Sequence, residues 1–199
     1  MEKVIEKELC TGCSACLNIC PKNAIVMVED DDGFMHPVID NKKCIDCGLC
    51  KRTCPVLNTK KNIAINKCYV GYNKDEIIKN NSSSGGVFSL VADWILSNDG
   101  IVIGAAFDNN NKLVHIAIET PEELEQLRGS KYLQSELKNI FIEVKKKVEN
   151  RKVLFVGTPC QIAGLKFFLK KEYANLYCID LFCHGVPSPK LFTKYIKEL

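Results

Sequence analysis

Between residues 10 and 55 the chain writes one cysteine pattern twice. C-T-G-C-S-A-C-L-N-I-C-P carries Cys10, Cys13, Cys16 and Cys20 before Pro21, and C-I-D-C-G-L-C-K-R-T-C-P carries Cys44, Cys47, Cys50 and Cys54 before Pro55. Twelve cysteines in 199 residues is a high count. The opening M-E-K-V-I-E-K-E-L-C alternates charge and lacks the apolar stretch of a secretory signal. Clustered thiols without such a signal point to metal in a reducing cytoplasm rather than to disulfides. No apolar run approaches the length of a membrane span. The net charge of +3 is spread over the chain, with no basic run interleaved with aromatics, so nucleic acid is not expected.

The spacing C-x2-C-x2-C-x3-C-P is that of bacterial two-cluster ferredoxins and predicts two 4Fe-4S clusters. Cys10, Cys13 and Cys16 lie on one tight loop, with Gly12 allowing close backbone approach. Cys20 comes about one helical turn later, too far round to close the same cube. The ligands are therefore expected to cross: Cys10, Cys13, Cys16 and Cys54 for one cluster, and Cys44, Cys47, Cys50 and Cys20 for the other. Such a unit folds only with metal bound. Zinc is the rival, but it is usually served by paired C-x2-C units rather than a repeated triple run. A short strand is expected at residues 4–9, and a hairpin pairs Ala24–Glu29 with Met35–Asp40 across D-D-D-G-F. His36 is read as structural.

The cysteine motif fills residues 1–60. Residues 61–67 read as a polar linker, and residues 68–199 as a second unit. C-Y-V-G-Y at Cys68 reads as a strand with a buried thiol. Val87, Leu90, Val91, Trp94 and Ile95 recur at helical spacing after the Ser-Gly loop Ser82–Gly86. That loop offers free N–H groups either to a cofactor phosphate or to a plain N-cap. Ile101–Phe107 and Leu113–Glu119 form a second hairpin, with His115 structural. A short helix follows from Thr120 and Pro121. R-G-S-K-Y-L-Q-S offers Gly129, Ser130, Lys131 and Tyr132 as an anion or ring contact, or as a simple C-cap. Leu137, Ile140, Phe141, Val144 and Val148 form one face of a helix over residues 136–149.

The last third reads strand–helix–strand–helix. A crossover helix makes the two strands parallel, so Cys160 and Cys183, each following a strand, reach the same sheet edge. Cys160 also opens a helix, which favours thiolate. A shared metal or redox role and two unrelated thiols both fit. Cys178 packs inside its strand. His184 could serve a flavin or substrate, or hold structure.

N-S-S-S-G-G-V-F, G-A-A-F-D, L-R-G-S-K-Y-L-Q-S, G-T-P-C-Q-I-A-G-L and C-H-G-V-P-S-P together resemble the family of coenzyme F(420) hydrogenase/dehydrogenase beta subunits, many members of which carry an N-terminal ferredoxin domain. The resemblance implies an α+β ferredoxin-like domain followed by an α/β flavin-binding-type domain with a mixed sheet. It implies FAD held by Ser84, Gly85, Gly86, Gly129, Ser130, Lys131 and Tyr132. It also implies a third 4Fe-4S cluster on Cys160 and Cys183, with two ligands from a later C-x2-C. That pair is absent, and the chain stops inside P-K-L-F-T-K-Y-I-K-E-L. The expectation is therefore a C-terminally truncated member whose third cluster needs ligands beyond residue 199. The function expected is a flavin-dependent iron–sulfur oxidoreductase of anaerobic metabolism, passing electrons between clusters and FAD and on to or from a deazaflavin coenzyme or another organic acceptor. Its partner would be a redox protein or a hydrogenase- or dehydrogenase-type subunit. The alternative is a non-enzymatic electron carrier without flavin. No general acid or base stands out.

Overall fold

The structure is a computed structural model that describes residues 3–58 and 67–198. The linker expected at residues 61–67 lies, apart from Lys67, outside the described residues. In the N-terminal part, the cysteine runs form two matching loops. Each leads into one turn and a half of helix, α1 (Ala15–Ile19) and later α2 (Leu49–Thr53), whose C-caps are Cys20 and Cys54. The backbone repeats with the sequence. Gly12 and Ser14 in the first loop, and Asp46 and Gly48 at the equivalent places in the second, all take positive φ. These left-handed residues curl each loop so that its thiols turn inward.

Between the loops, β1 (Ile25–Glu29) and β2 (Met35–Ile39) pair antiparallel in the register Ile25↔Ile39 to Glu29↔Met35. The turn is held by the Asp30 carboxylate, which accepts N–H bonds from Asp32 (3.0 Å) and Phe34 (2.8 Å). The expected strand at residues 4–9 does not form. Val4 is buried against Cys16, Ile25, Cys50 and Cys54, and Lys7–Leu9 closes into a 3-10 turn. Val4 and, in part, Ile5 pack against that cluster while Leu9 is exposed, and the Leu9 and Cys10 N–H groups bond locally to Glu6 and Lys7 instead of to a neighbouring strand.

The second part holds α3 (Glu76–Asn80), α4 (Val87–Leu96), β3 (Ile101–Phe107), β4 (Leu113–Ile118), a 3-10 segment Glu122–Leu127, α5 (Ile140–Lys147), β5 (Val153–Gly157), α6 (Pro159–Leu169), β6 (Leu176–Asp180) and α7 (Pro189–Glu198). The sheet order is β4-β3-β5-β6, with β3 and β4 antiparallel and β3, β5 and β6 parallel. Central strands β3 and β5 are covered on both faces, which is why they read as continuous apolar runs. Ile101, Ile103, Val153 and Phe155 face α5 and α6, while Val102, Ala106, Leu154 and Val156 face α4 and the 3-10 segment.

Three expectations are corrected. Cys68 is exposed and its segment forms no strand; Val70 beside it is fully exposed, so the apolar pattern there has no core to enter. Helix α4 forms where expected but is rotated. Ser89, Ala92, Ile95 and Leu96 face the sheet, while Val87, Leu90 and Trp94 are exposed. Small Ser89 and Ala92 let the helix lie close, and Arg128 Nε donates to Ser89 Oγ (3.1 Å) across that contact. All five expected apolar residues are buried, but only Ile140, Phe141 and Val144 lie on helix α5, which starts at Ile140 because Glu136 pairs with the edge of β4.

The N-terminal part is built into the α/β core. Cys13 and Ala15 pack in the same apolar cluster as α5, α6 and the sheet. Asn18 Nδ2 donates to Ser14 O (2.9 Å) and to Lys138 O (2.8 Å), Met35 N donates to Gln134 Oε1 (3.0 Å), and Lys190 Nζ donates to Asp31 O (2.7 Å). Among the described residues no helix is long and apolar enough to cross a membrane. Phe141 is wholly buried against Phe155 and Phe168. Phe141→Ala should cost about 3–5 kcal/mol, read as a lowered midpoint in urea unfolding of the cluster-loaded chain.

Candidate functional site

Two hollows lie in the N-terminal part, each rimmed by four thiols. One, of about 360 Å³ and open to one side, is lined by Cys20, Cys44, Cys47 and Cys50 together with Ala24, Ile25, Ile39 and Leu49. The other, of about 330 Å³, is lined by Cys10, Cys13, Cys16 and Cys54 together with Val4, Ala15, Met27 and Pro37. Each hollow thus takes three cysteines from one run and the last cysteine of the other. None of the twelve cysteines forms a disulfide. Among the described residues no three Cys, His, Asp or Glu side chains converge closely enough to hold a single metal ion. The thiols stand around a space instead, which suits a multi-atom cluster better than one tetrahedral zinc.

The loop that lines the first-run hollow packs against the α/β part. A methyl group at Gly164 of α6 would sit 3.0 Å from Cys13 Sγ and 3.1 Å from its Cβ. One at Gly12 would strike Gln134 Nε2. Burial pushes the thiols of this hollow up: Cys13 to about 11, and Cys10 and Cys16 also upward. Neighbouring thiolates add to the shift; for Cys10 and Cys13 these include Cys54 and Cys160. Without metal these three sulfurs are therefore held as thiols.

Cys160 stands at the N-terminus of α6, its Sγ 3.1 Å from Thr158 Oγ1. A buried polar chain fixes this helix end. His115 Nε2 lies 3.1 Å from Val156 O, so that nitrogen donates, and Nδ1 accepts from Ser135 Oγ (3.1 Å). Ser135 Oγ accepts from Gln161 Nε2 (2.9 Å), and Gln161 Oε1 accepts from Thr158 N (2.9 Å). Every donor finds an acceptor only if His115 is neutral. Burial holds its pKa down at about 4. Parallel β5 and β6 bring Cys183 to the same sheet edge, where it is exposed next to fully exposed Phe182. His184 is exposed there too, and Cys178 is half-buried within β6.

The N-terminus of α4 reaches the same edge. Its cap is Gly86, at φ 72°, and the loop before it holds exposed Ser83 and Ser84 and half-buried Gly85. The loop Gly129–Tyr132 comes to meet it, with Ser130 N donating to Ser83 Oγ (3.1 Å). Lys131 Nζ donates to Arg128 O (2.6 Å), and burial holds its amine below the usual lysine range. Gly129, at φ 80°, faces open space, and the Tyr132 ring is 79% exposed. The two candidate loops are therefore one composite surface.

Cysteine spacing does not point to Asn18, Gln134 or Gly164, which dock one part on the other. The capping box Thr158-x-x-Gln161 is a local signal around Cys160; its extension to Ser135 and His115 has no such signal.

Thiol-rimmed hollows docked on a mixed-sheet α/β body define an iron–sulfur protein. A 4Fe-4S dicluster domain model matches residues 9–58. Models of the N-terminal and C-terminal parts of the coenzyme F420 hydrogenase/dehydrogenase beta subunit match residues 68–141 and 150–199, together well over half of the chain. The chain belongs to this family. It is similar to the coenzyme F420-dependent sulfite reductase of Methanocaldococcus jannaschii, 28% identical over 94% of this chain and 29% of that one. It is also similar to a component of the F(420)H(2) dehydrogenase of Methanosarcina mazei, 24% identical over 98% of this chain and 60% of that one. The chain thus spans less than two thirds of either relative. In fold it resembles a chain of the F420-reducing [NiFe] hydrogenase complex from Methanosarcina barkeri, with a TM-score of 0.53 and 21% identity over 65% of this chain and 50% of that one.

Two outcomes test this site. Alanine normally favours a helix interior over glycine by about 1 kcal/mol, yet Gly164→Ala should loosen the cluster beside Cys13 and leave the other in place, read as iron retained per chain and loss of one of two EPR signals. His115 has a folded pKa below its unfolded value of about 6.5. Its contribution is full above that pH and is lost as pH falls toward about 4, about 3 kcal/mol in all. The wild type should therefore lose more stability than His115→Gln between those pH values in urea titrations.

Proposed function

We propose that this chain is the iron–sulfur arm and part of the flavin-binding body of an F420-type oxidoreductase. It would carry electrons between two 4Fe-4S clusters and FAD, and on to or from a deazaflavin coenzyme or another organic acceptor. The observation that carries this reading is the pair of hollows, each rimmed by three cysteines of one run and the last of the other. Cys10, Cys13, Cys16 and Cys54 would hold one cluster, and Cys20, Cys44, Cys47 and Cys50 the other. The apolar walls of the hollows suit an Fe–S group, whose potential depends on burial and on hydrogen bonds to sulfur.

Ser84, Gly85, Gly86, Gly129, Ser130, Lys131 and Tyr132 would bind FAD. The hydrogen bond between Ser130 and Ser83 joins the two loops, α4 turns its free N–H groups toward them, and Lys131 adds positive charge. Gly129 leaves room for a ligand against backbone, and the exposed Tyr132 ring offers a stacking face. A flavin bound there would supply the exchange between one-electron and two-electron carriers. Cys160 and Cys183 would contribute to a third cluster. A partner protein of the same complex, and a reducing cytoplasm as the compartment, complete the proposal.

Anaerobic reconstitution tests it. Iron and sulfide should each reach about eight per chain for two clusters. Cys54→Ser and Cys10→Ser should abolish the same EPR signal, and Cys20→Ser and Cys44→Ser the other. Loss of one signal by both Cys54→Ser and Cys44→Ser would refute the crossed assignment. Gly129→Val should weaken flavin binding, followed by fluorescence quenching, without lowering iron content. Iron and sulfide without any flavin uptake would favour an electron carrier instead.

A further inference from the structure

The two hollows are not equivalent. The β1–β2 hairpin runs past both: Ile25 and Ile39 line the Cys44–Cys50 hollow, Met27 and Pro37 line the other, and Gly33 at the turn touches Lys190 of α7. Two residues of strand span about 7 Å, so the Cys44–Cys50 hollow is the one farther from the α/β body. Gly164 and Gln134 pack against Cys13 and Gly12, in the loop that lines the inner hollow, and Cys13, Cys16 and Cys54 there are buried. Of the cysteines in the outer hollow only Cys50 is buried, and Pro21, Lys22, Ile45 and Cys47 on its rim are exposed.

Charge is sorted along the same axis. The acidic run Asp30–Asp32 sits at the inner end, where Lys7 and His36 pair with Asp30 and Lys190 bonds Asp31 O. The outer end carries exposed Lys22, Lys42, Lys43, Lys51 and Arg52 against Asp40 and Asp46. Lys43 is taken up by Asp40 at 3.4 Å. Among the described residues Lys22, Lys42 and Lys51 have no ion-pair partner. Arg52 Nη2 donates to Cys47 O at 2.8 Å, which fixes a guanidinium beside the exposed cysteine. The net charge of the whole chain is only +3, so this excess is local.

We propose that the rim of the outer hollow is the docking surface for an acidic one-electron carrier protein. The inference rests on the two clusters proposed above. Cations around an exposed apolar residue, Ile45, match a partner with carboxylates around its own redox centre, since complementary charge steers encounter and fixes orientation. A cluster held in the outer hollow would take one electron from the reduced carrier, with no bond made or broken. One held in the inner hollow would relay it toward Cys160.

The test mixes cluster-loaded protein anaerobically with reduced acidic plant-type ferredoxin in a stopped-flow spectrometer. Reduction by the methyl viologen radical cation serves as control. Wild-type reduction by ferredoxin should slow steeply as salt rises, and Lys22→Glu/Lys51→Glu should slow it roughly tenfold or more at low salt. The same variant should hold its full iron and react with methyl viologen no more slowly than wild type. A wild-type rate indifferent to salt, or a cluster-loaded variant that reacts with ferredoxin as fast as wild type, overturns the docking surface alone. If methyl viologen reduces no centre in the wild type, the electron-carrying reading falls, and the docking surface falls with it.

Discussion

The close approach of α6 to the first cysteine loop is the contact on which the rest of the structure depends. Glycine at residue 164 favours it: a methyl group would sit 3.0 Å from Cys13 Sγ and push the loop away. The helix could gain propensity from alanine there, so its glycine is explained by contact rather than by local preference. On the other side of the same loop, Gly12 leaves room for Gln134, and Asn18 reaches across to Lys138 O. These contacts make residues 133–138 a strap shared by two structures. It pairs with β4 on one side and holds the cysteine loop on the other.

The strap also links site chemistry to the sheet. Ser135 joins His115 to Gln161, and Gln161 caps the helix that presents Cys160. A shift of the strap would therefore reach the inner hollow and the N-terminus of α6 together. Burial pushes Cys10, Cys13 and Cys16 up, so a metal group that binds their thiolates offsets the desolvation of that charge. Metal uptake should therefore tighten the strap, and through it the α/β body.

Much of this was legible in the sequence. Both hairpins, the parallel crossover and the buried face of α5 follow from period and spacing, which are local signals. The features not anticipated depend on what lies opposite. Helix α4 turns Ser89 and Ala92 to the sheet because close packing and an Arg128 bond outweigh its larger apolar residues. Residues 4–9 fail as a strand because no edge receives them. Cys68 is exposed because its segment has no core to enter. The meeting of the Ser83 and Ser130 loops across 47 residues, and the seating of Gln134 against Gly12, are tertiary facts that no window of sequence encodes.

Hydrogen exchange on the apo and cluster-loaded chain tests most directly the claim that the cysteine loops and the α/β body are one cooperative unit. Building the clusters should raise protection at residues 9–20 and, in the same step, at residues 133–138 and 159–165. Protection that rises within residues 9–58 while the strap and α6 stay unchanged would contradict the account.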